Sequence, residues 1–229
     1  MSSLAGKCAV ITGASRGIGE AIARTFAEAG ANVALLARSQ SALDKIVEEI
    51  GDAALAVTAD VTDRASIFAA AEQVREAFGG ADIVVNNAGM VLRESFQQTS
   101  YQQLRDVFAV NLEGIFHVTQ AFADDLIARR GRIINVSSIA GRQGTPMLSA
   151  YCASKHAVVG LTRALAEELR ESGVAVNVIC PGSVDTQMLR EGLPGAEPDM
   201  TPDDIARCAL FLADQAPASM TGSCVDVFG

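Results

Sequence analysis

The sequence predicts a doubly wound α/β fold: an open, seven-stranded parallel sheet with helices on both faces. Three observations carry that expectation. Short runs rich in Val, Ile and Ala alternate with longer stretches of helical period along the whole chain. The runs are apolar at nearly every position, the pattern of strands covered on both faces; a half-exposed strand would alternate instead. Gly30, Gly79, Gly131 and Gly173 stand where four of the helices are due to stop.

Taken in order, Cys8-Ala9-Val10-Ile11-Thr12 opens the sheet, and a helix at 18–29 follows a glycine turn. Residues 33–37 (VALLA) read as the second strand and 41–50 as its helix; 54–58 (ALAVT) form the third strand and 65–78 the next helix. The fourth strand, 83–86 (IVVN), leads to one long helical stretch at 103–128, and the fifth strand occupies 132–136 (RIINV). A helix at 154–171 connects it to the sixth strand at 174–180, and 224–227 (CVDV) closes the sheet. Residues 187–203 hold Pro194, Gly195, Pro198 and Pro202 and read as a short mobile loop. The 229 residues are expected to form one domain, 1–229, with ligands bound beyond the carboxyl ends of the strands.

Composition narrows the function classes. A chain that is 49% hydrophobic and 20% charged buries a full core, while a net charge of −9 argues against nucleic acid and anionic membranes as partners. With no apolar run of about 18 residues and no charged-then-apolar leader at the start, a soluble cytoplasmic protein is expected. Cys8, Cys152, Cys180, Cys208 and Cys224 include no CxxC pair, so they read as buried small hydrophobes, and no metal site is expected.

After the first strand, Gly13, Gly17 and Gly19 form a turn whose bare backbone can approach a pyrophosphate at a helix N-terminus. The spacing, GxxxGxG, departs from the GxGxxG fingerprint. The second strand ends Leu36-Ala37-Arg38-Ser39, without the carboxylate that would bond a ribose 2′-hydroxyl. Arg38 and Arg16 instead suit a 2′-phosphate, which predicts NADP (NADPH) as cofactor.

Thr12-Gly13-Ala14-Ser15-Arg16-Gly17-Ile18-Gly19, Asn86-Asn87-Ala88-Gly89, Ser138, Tyr151-Cys152-Ala153-Ser154-Lys155 and Pro181-Gly182 together resemble, in order and approximate spacing, the short-chain dehydrogenase/reductase family with its Rossmann fold. The resemblance covers nearly the whole chain. It implies a catalytic set of Asn111, Ser138, Tyr151 and Lys155. It also implies cofactor contacts from Gly13, Ser15, Arg16, Gly17, Ile18 and Gly19, from Arg38, from Asp60 and Val61, and from Asn87, Ala88 and Gly89. Tyr151, Lys155, Pro181, Gly182, Ser183, Val184 and Thr186 complete that implied set. Lys155 is further implied to contact the nicotinamide ribose, and Asn111 to anchor a water relay from Lys155 to solvent. A capping role for Thr62 or Asp63 competes with the adenine-side reading of Asp60 and Val61.

Elementary chemistry agrees with the implied roles. Residues i and i+4 share a helical face, so Tyr151 and Lys155 stand about 6 Å apart along the axis. An ammonium at that range is expected to lower the phenol from its ordinary value of about 10 by roughly 1–3 units. Tyr151 then serves as acid in carbonyl reduction and as base in reverse. Strand alternation turns Ser138 toward the cleft and Ser137 to the other face. His117 and His156 read as packing residues, and Cys152 points about 100° away from Tyr151.

The substrate is less sharply marked. One that the resemblance suggests is a 3-oxoacyl thioester on acyl carrier protein, for which Arg129, Arg130, Arg132, Arg163 and Arg170 would form a basic docking patch. Cationic capping of helix C-termini explains the same arginines. Small ketones, sugars, polyols and quinones compete as substrates, and Met188, Leu189 and Leu193 either line the mouth of the pocket or anchor the loop into the core. A non-catalytic NADPH-binding sensor or scaffold is the reading from a different class, and the four retained chemical residues argue against it. The family resemblance implies a homodimer or homotetramer paired through 103–128 and 154–171.

Overall fold

In the computed structural model, which describes residues 3–229, seven parallel strands form one sheet. They are β1 (Cys8–Thr12), β2 (Asn32–Ala37), β3 (Ala54–Thr58), β4 (Ile83–Asn86), β5 (Arg132–Val136), β6 (Ala175–Pro181) and β7 (Cys224–Val227). Their spatial order is β3-β2-β1-β4-β5-β6-β7. The winding reverses between β1 and β4, which opens a crevice beyond the carboxyl ends of those strands.

The helices are α1 (Gly17–Glu28), α2 (Gln40–Ile50), α3 (Arg64–Phe78), α4 (Tyr101–Phe108), α5 (Gly114–Ala121), α6 (Ala123–Arg129), α7 (Ser149–Glu168), α8 (Gln187–Gly192) and α9 (Pro202–Leu210). Strand alternation sorts the core into two layers. Ala9, Ile11, Val33 and Leu35 pack with Ile22 and Phe26 of α1, Leu43 of α2 and Ile205 of α9. Val10, Ala34 and Val84 pack on the other face with Ile67 and Val74 of α3, Val118 of α5 and Leu126 of α6. Strands β1, β4 and β6 are buried at every position, which is why their sequences show no polar alternation.

Four elements differ from the sequence expectation. The stretch expected as one helix at 103–128 is three helices: a π-helical turn, Ala109–Glu113, separates α4 from α5, and Phe122 leaves helical geometry between α5 and α6. The loop at 187–203 contains α8, capped where the Thr186 hydroxyl accepts from the Leu189 N–H at 3.2 Å. Helix α7 begins at Ser149, earlier than the expected 154, and so takes in Tyr151. The left-handed residue that ends α6 is Arg130 (φ 49°), not Gly131. Gly131 is needed for a different reason, since a Cβ there would lie 2.5 Å from the Asp82 carbonyl oxygen. No helix among the described residues is long and apolar enough to cross a membrane.

Candidate active site

A cavity of about 980 Å³ opens at the carboxyl ends of the central strands. At one end lies the turn between β1 and α1. Gly13 (φ 64°) and Gly17 (φ 59°) are left-handed there, and a Cβ on Gly13 would stand 2.9 Å from Ala88 Cα. Gly19 does not line the cavity; its missing side chain lets α1 close on the Gly13 carbonyl, 2.4 Å from where a Cβ would sit. Asn87 braces the turn by donating from Nδ2 to the carbonyls of Thr12 (3.0 Å) and Gly13 (3.2 Å). The buried Thr12 hydroxyl oxygen accepts from the N–H groups of both Asn87 and Ala88 at 3.0 Å. Sequence reasoning left Thr12 out of the site, although a hydroxyl ending an apolar strand was the signal.

Ser15, Arg16, Gly17, Ile18, Arg38, Asp60 and Val61 line the same end. The Asp60 carboxylate accepts from the Thr62 N–H (2.9 Å) and hydroxyl (2.8 Å). Those bonds, with the Arg38 charge nearby, hold it below the ordinary carboxylate range. The competing cap is present as well: Asp63 accepts from the Ala65 N–H at the start of α3. His117 binds the Val61 carbonyl through Nδ1 at 2.9 Å and so packs behind the cavity wall, while His156 Nδ1 bonds the Cys152 carbonyl of its own helix. Arg16 donates to the Gln187 side chain of α8.

At the other end, Ser138, Tyr151 and Lys155 all line the cavity. Tyr151 and Lys155 lie one turn apart on α7, 8% and 3% exposed, with the Lys155 Nζ 5.7 Å from the Tyr151 ring centre. The expected lowering of the phenol is not found. Burial pushes Tyr151 up to about 12, against the opposing hydrogen bond with Ser138, and pushes Lys155 down to about 8. Burial is the largest cause of both shifts and drives each group toward its neutral form.

The surroundings hold these groups in place. Lys155 Nζ donates to the Val136 carbonyl at 3.0 Å, and the Ser137 hydroxyl donates to the Lys155 carbonyl at 2.8 Å. Ser138 caps the short turn Ile139–Gly141, accepting from the Ala140 N–H at 3.1 Å. Asn111, on the π-helical turn, is buried behind the cavity and does not line it. Its Oδ1 accepts from the Met90 N–H (2.8 Å), and its Nδ2 donates to the Met90 carbonyl (3.0 Å) and the Ser154 hydroxyl (2.9 Å). Ser154 in turn donates to the Tyr151 carbonyl at 2.8 Å, a link not read from sequence. A Cβ on Gly89 would lie 3.4 Å from Asn111 Oδ1 and 3.5 Å from Lys155 Nζ, so that glycine separates the two. Asn87, Ala88, Pro181, Gly182, Ser183, Val184 and Thr186 complete the wall between the two ends.

Helix α8 roofs the cavity, with Met188, Leu189 and Leu193 facing it. Arg93 donates from Nη1 to the Gly192 carbonyl at 3.3 Å. The arginines 129, 130, 132, 163 and 170 stand at the opposite, amino end of the strands: Arg129 pairs with Asp82 (3.1 Å) just ahead of β4, and Arg163 reaches Cys224 at the start of β7. They form no patch beside this chain's own cavity.

Residues 7–195 match the family model of short chain dehydrogenases. Over 99% of its length the chain is 41% identical to a galactitol 2-dehydrogenase (L-tagatose-forming) of Cereibacter sphaeroides, 95% of which is covered. It is 36% identical, over 99% of this chain and 98% of the relative, to the 3-oxoacyl-(acyl-carrier-protein) reductase FabG of Vibrio cholerae. A crystal structure of a 3-ketoacyl-(acyl-carrier-protein) reductase from Brucella melitensis complexed with NADH matches with a TM-score of 0.93 at 34% identity, over 99% of this chain and 98% of that one.

Proposed function

The chain belongs to the short chain dehydrogenase family, and from that premise we propose that it is an NADP(H)-dependent oxidoreductase interconverting a carbonyl and a secondary alcohol, with Tyr151 as acid and base. The observation that carries the reading is the convergence of Ser138, Tyr151 and Lys155 on a cavity whose far end is the glycine turn.

The residues fit a dinucleotide. Gly13 and Gly17 leave a bare backbone at the start of α1 where a pyrophosphate is favoured, and the cavity continues from Arg38 to Lys155. Bound there, the nicotinamide supplies or accepts the hydride. The Ser138 hydroxyl holds the substrate oxygen, and the Tyr151 hydroxyl gives it a proton in the reducing direction. Once the proton has left, the ammonium of Lys155 one turn away steadies the phenolate, which burial otherwise disfavours. Asn111 and Ser154 act as positioning residues, fixing the backbone at Met90 and Tyr151.

Preference for NADPH is supported by Arg38 and Arg16 at the adenosine end and by the absence of a carboxylate at the end of β2. The names of the relatives suggest two substrate classes, a 3-oxoacyl thioester and a polyol. The whole chain is read as one cytoplasmic domain acting as a homodimer or homotetramer; the exposed Phe116 of α5 and Ile127 of α6 support pairing on that face.

The test mixes the purified protein with NADPH and a panel of ketones, oxoacyl thioesters and ketoses and follows the loss of NADPH absorbance. Turnover that disappears in Tyr151→Phe supports the reading. Undiminished turnover in that variant removes Tyr151 as the acid.

A further inference from the structure

The polar side chains at and before α8 are engaged with one another and with Arg16. Asp185 and Arg190 form an ion pair at 2.6 Å. The Gln187 amide is shared between Arg16 and Glu191. Beside the Tyr151 phenol, Ser138 and Thr145 line the cavity from the segment that leads into α7.

The wall beside Tyr151 is hydrocarbon. Ala140 and Leu148 are buried against Tyr151, with Val91 and Leu193 packed on them. Gly192 seats the roof on this wall. A Cβ on Gly192 would stand 2.9 Å from Val91 Cγ2, so the carboxyl end of α8 sits as low as it does because Gly192 has no side chain.

We propose that this wall, closed by the seating of Gly192 on Val91, makes the enzyme select an uncharged ketone or secondary alcohol with a hydrocarbon flank and reject sugars and polyols. The inference rests on the oxidoreductase reading above and deepens it. A ketose would bring several hydroxyls against this hydrocarbon surface, and each one left unpaired weakens transition-state binding. Val91 and Gly192 are then the specificity-determining pair.

The experiment compares kcat/KM, under saturating NADPH, for an unbranched methyl ketone and for the ketose of the same carbon count. A hydrophobic pocket rejects one added hydroxyl by about 100-fold, and a discrimination of at least that size is expected here. Gly192→Ala lifts the roof and reduces the ratio several-fold. Adding Val91→Ala removes the atom in the way and restores it. Val91→Thr keeps the shape, adds one hydroxyl to the wall and raises ketose turnover. Equal or better turnover of the ketose by the unaltered protein overturns the inference while leaving the oxidoreductase reading intact. An unchanged ratio in all three variants overturns the role of the pair. Loss of turnover with every carbonyl, in protein that binds NADPH by fluorescence, overturns the underlying reading instead.

Discussion

Replacing Lys155 by Met should make the protein more stable at neutral pH while abolishing turnover. The side chain is 3% exposed, and burial lowers its amine from 10.5 to about 8. Carrying the charge inside therefore costs about 3 kcal/mol at pH 7. Methionine has nearly the same length and removes that cost, but it leaves the Val136 carbonyl without its 3.0 Å donor, a loss of about 1 kcal/mol. The net gain is about 2 kcal/mol, or about 5 °C in Tm for a chain of this size. Between pH 8 and 10.5 the unfolded chain still holds a proton that the folded chain has released. The unaltered protein therefore gains stability with rising pH across that window, and its penalty is fully present below it. The advantage of the variant shrinks through the window and ends as a deficit of about 1 kcal/mol above it. Paired urea titrations at pH 7, 9 and 10.5, read as midpoint differences, test this; the comparison cancels titrations common to both proteins. A variant no more stable at pH 7, or a difference flat across the series, refutes the reasoning.

Further outcomes follow from other contacts. Tyr151→Phe removes the only phenol in the cavity, and kcat in carbonyl reduction should fall by about 10²–10⁴ while NADPH binding, read by fluorescence titration, is retained. Thr12→Val leaves the Ala88 N–H without its acceptor, while the Asn87 N–H keeps the Val85 carbonyl, and should cost about 1–3 kcal/mol in urea unfolding; a loss below about 0.5 kcal/mol contradicts the bracing role. Arg38→Asp places a carboxylate at the end of β2 and should raise the NADH-to-NADPH ratio of kcat/KM at least about tenfold, which steady-state assays with the two coenzymes measure directly.

The sheet was legible because its strands are short, continuous apolar runs with clear limits. The expected bounds of the strands at Cys8, Ala54, Ile83, Arg132 and Cys224 are those of the structure. The long helix was not legible, because apolar period runs straight through Ala109–Glu113. The π-helical turn there accompanies the bonding of Asn111 to Met90, 21 residues earlier, which no local pattern encodes. Helix α8 has six residues, too few for a period to show. At the candidate site, the spacing of Tyr151 and Lys155 was visible and the direction of their pKa shifts was not. Spacing reports which groups are neighbours, whereas the shifts are set by burial, a property of the whole fold. The link from Arg16 to Gln187 joins residues 171 positions apart and left no trace in either neighbourhood.

That same link bears on the sequence of kinetic events. The Arg16 guanidinium, in the glycine turn, donates to Gln187 at the amino end of α8, while Arg93 donates to the Gly192 carbonyl at its carboxyl end. A nucleotide that draws Arg16 to itself would remove the contact at one end and leave the contact at the other. The expected order of binding is therefore coenzyme before substrate. Product inhibition in which the oxidised coenzyme competes with the reduced coenzyme alone is the result that checks it.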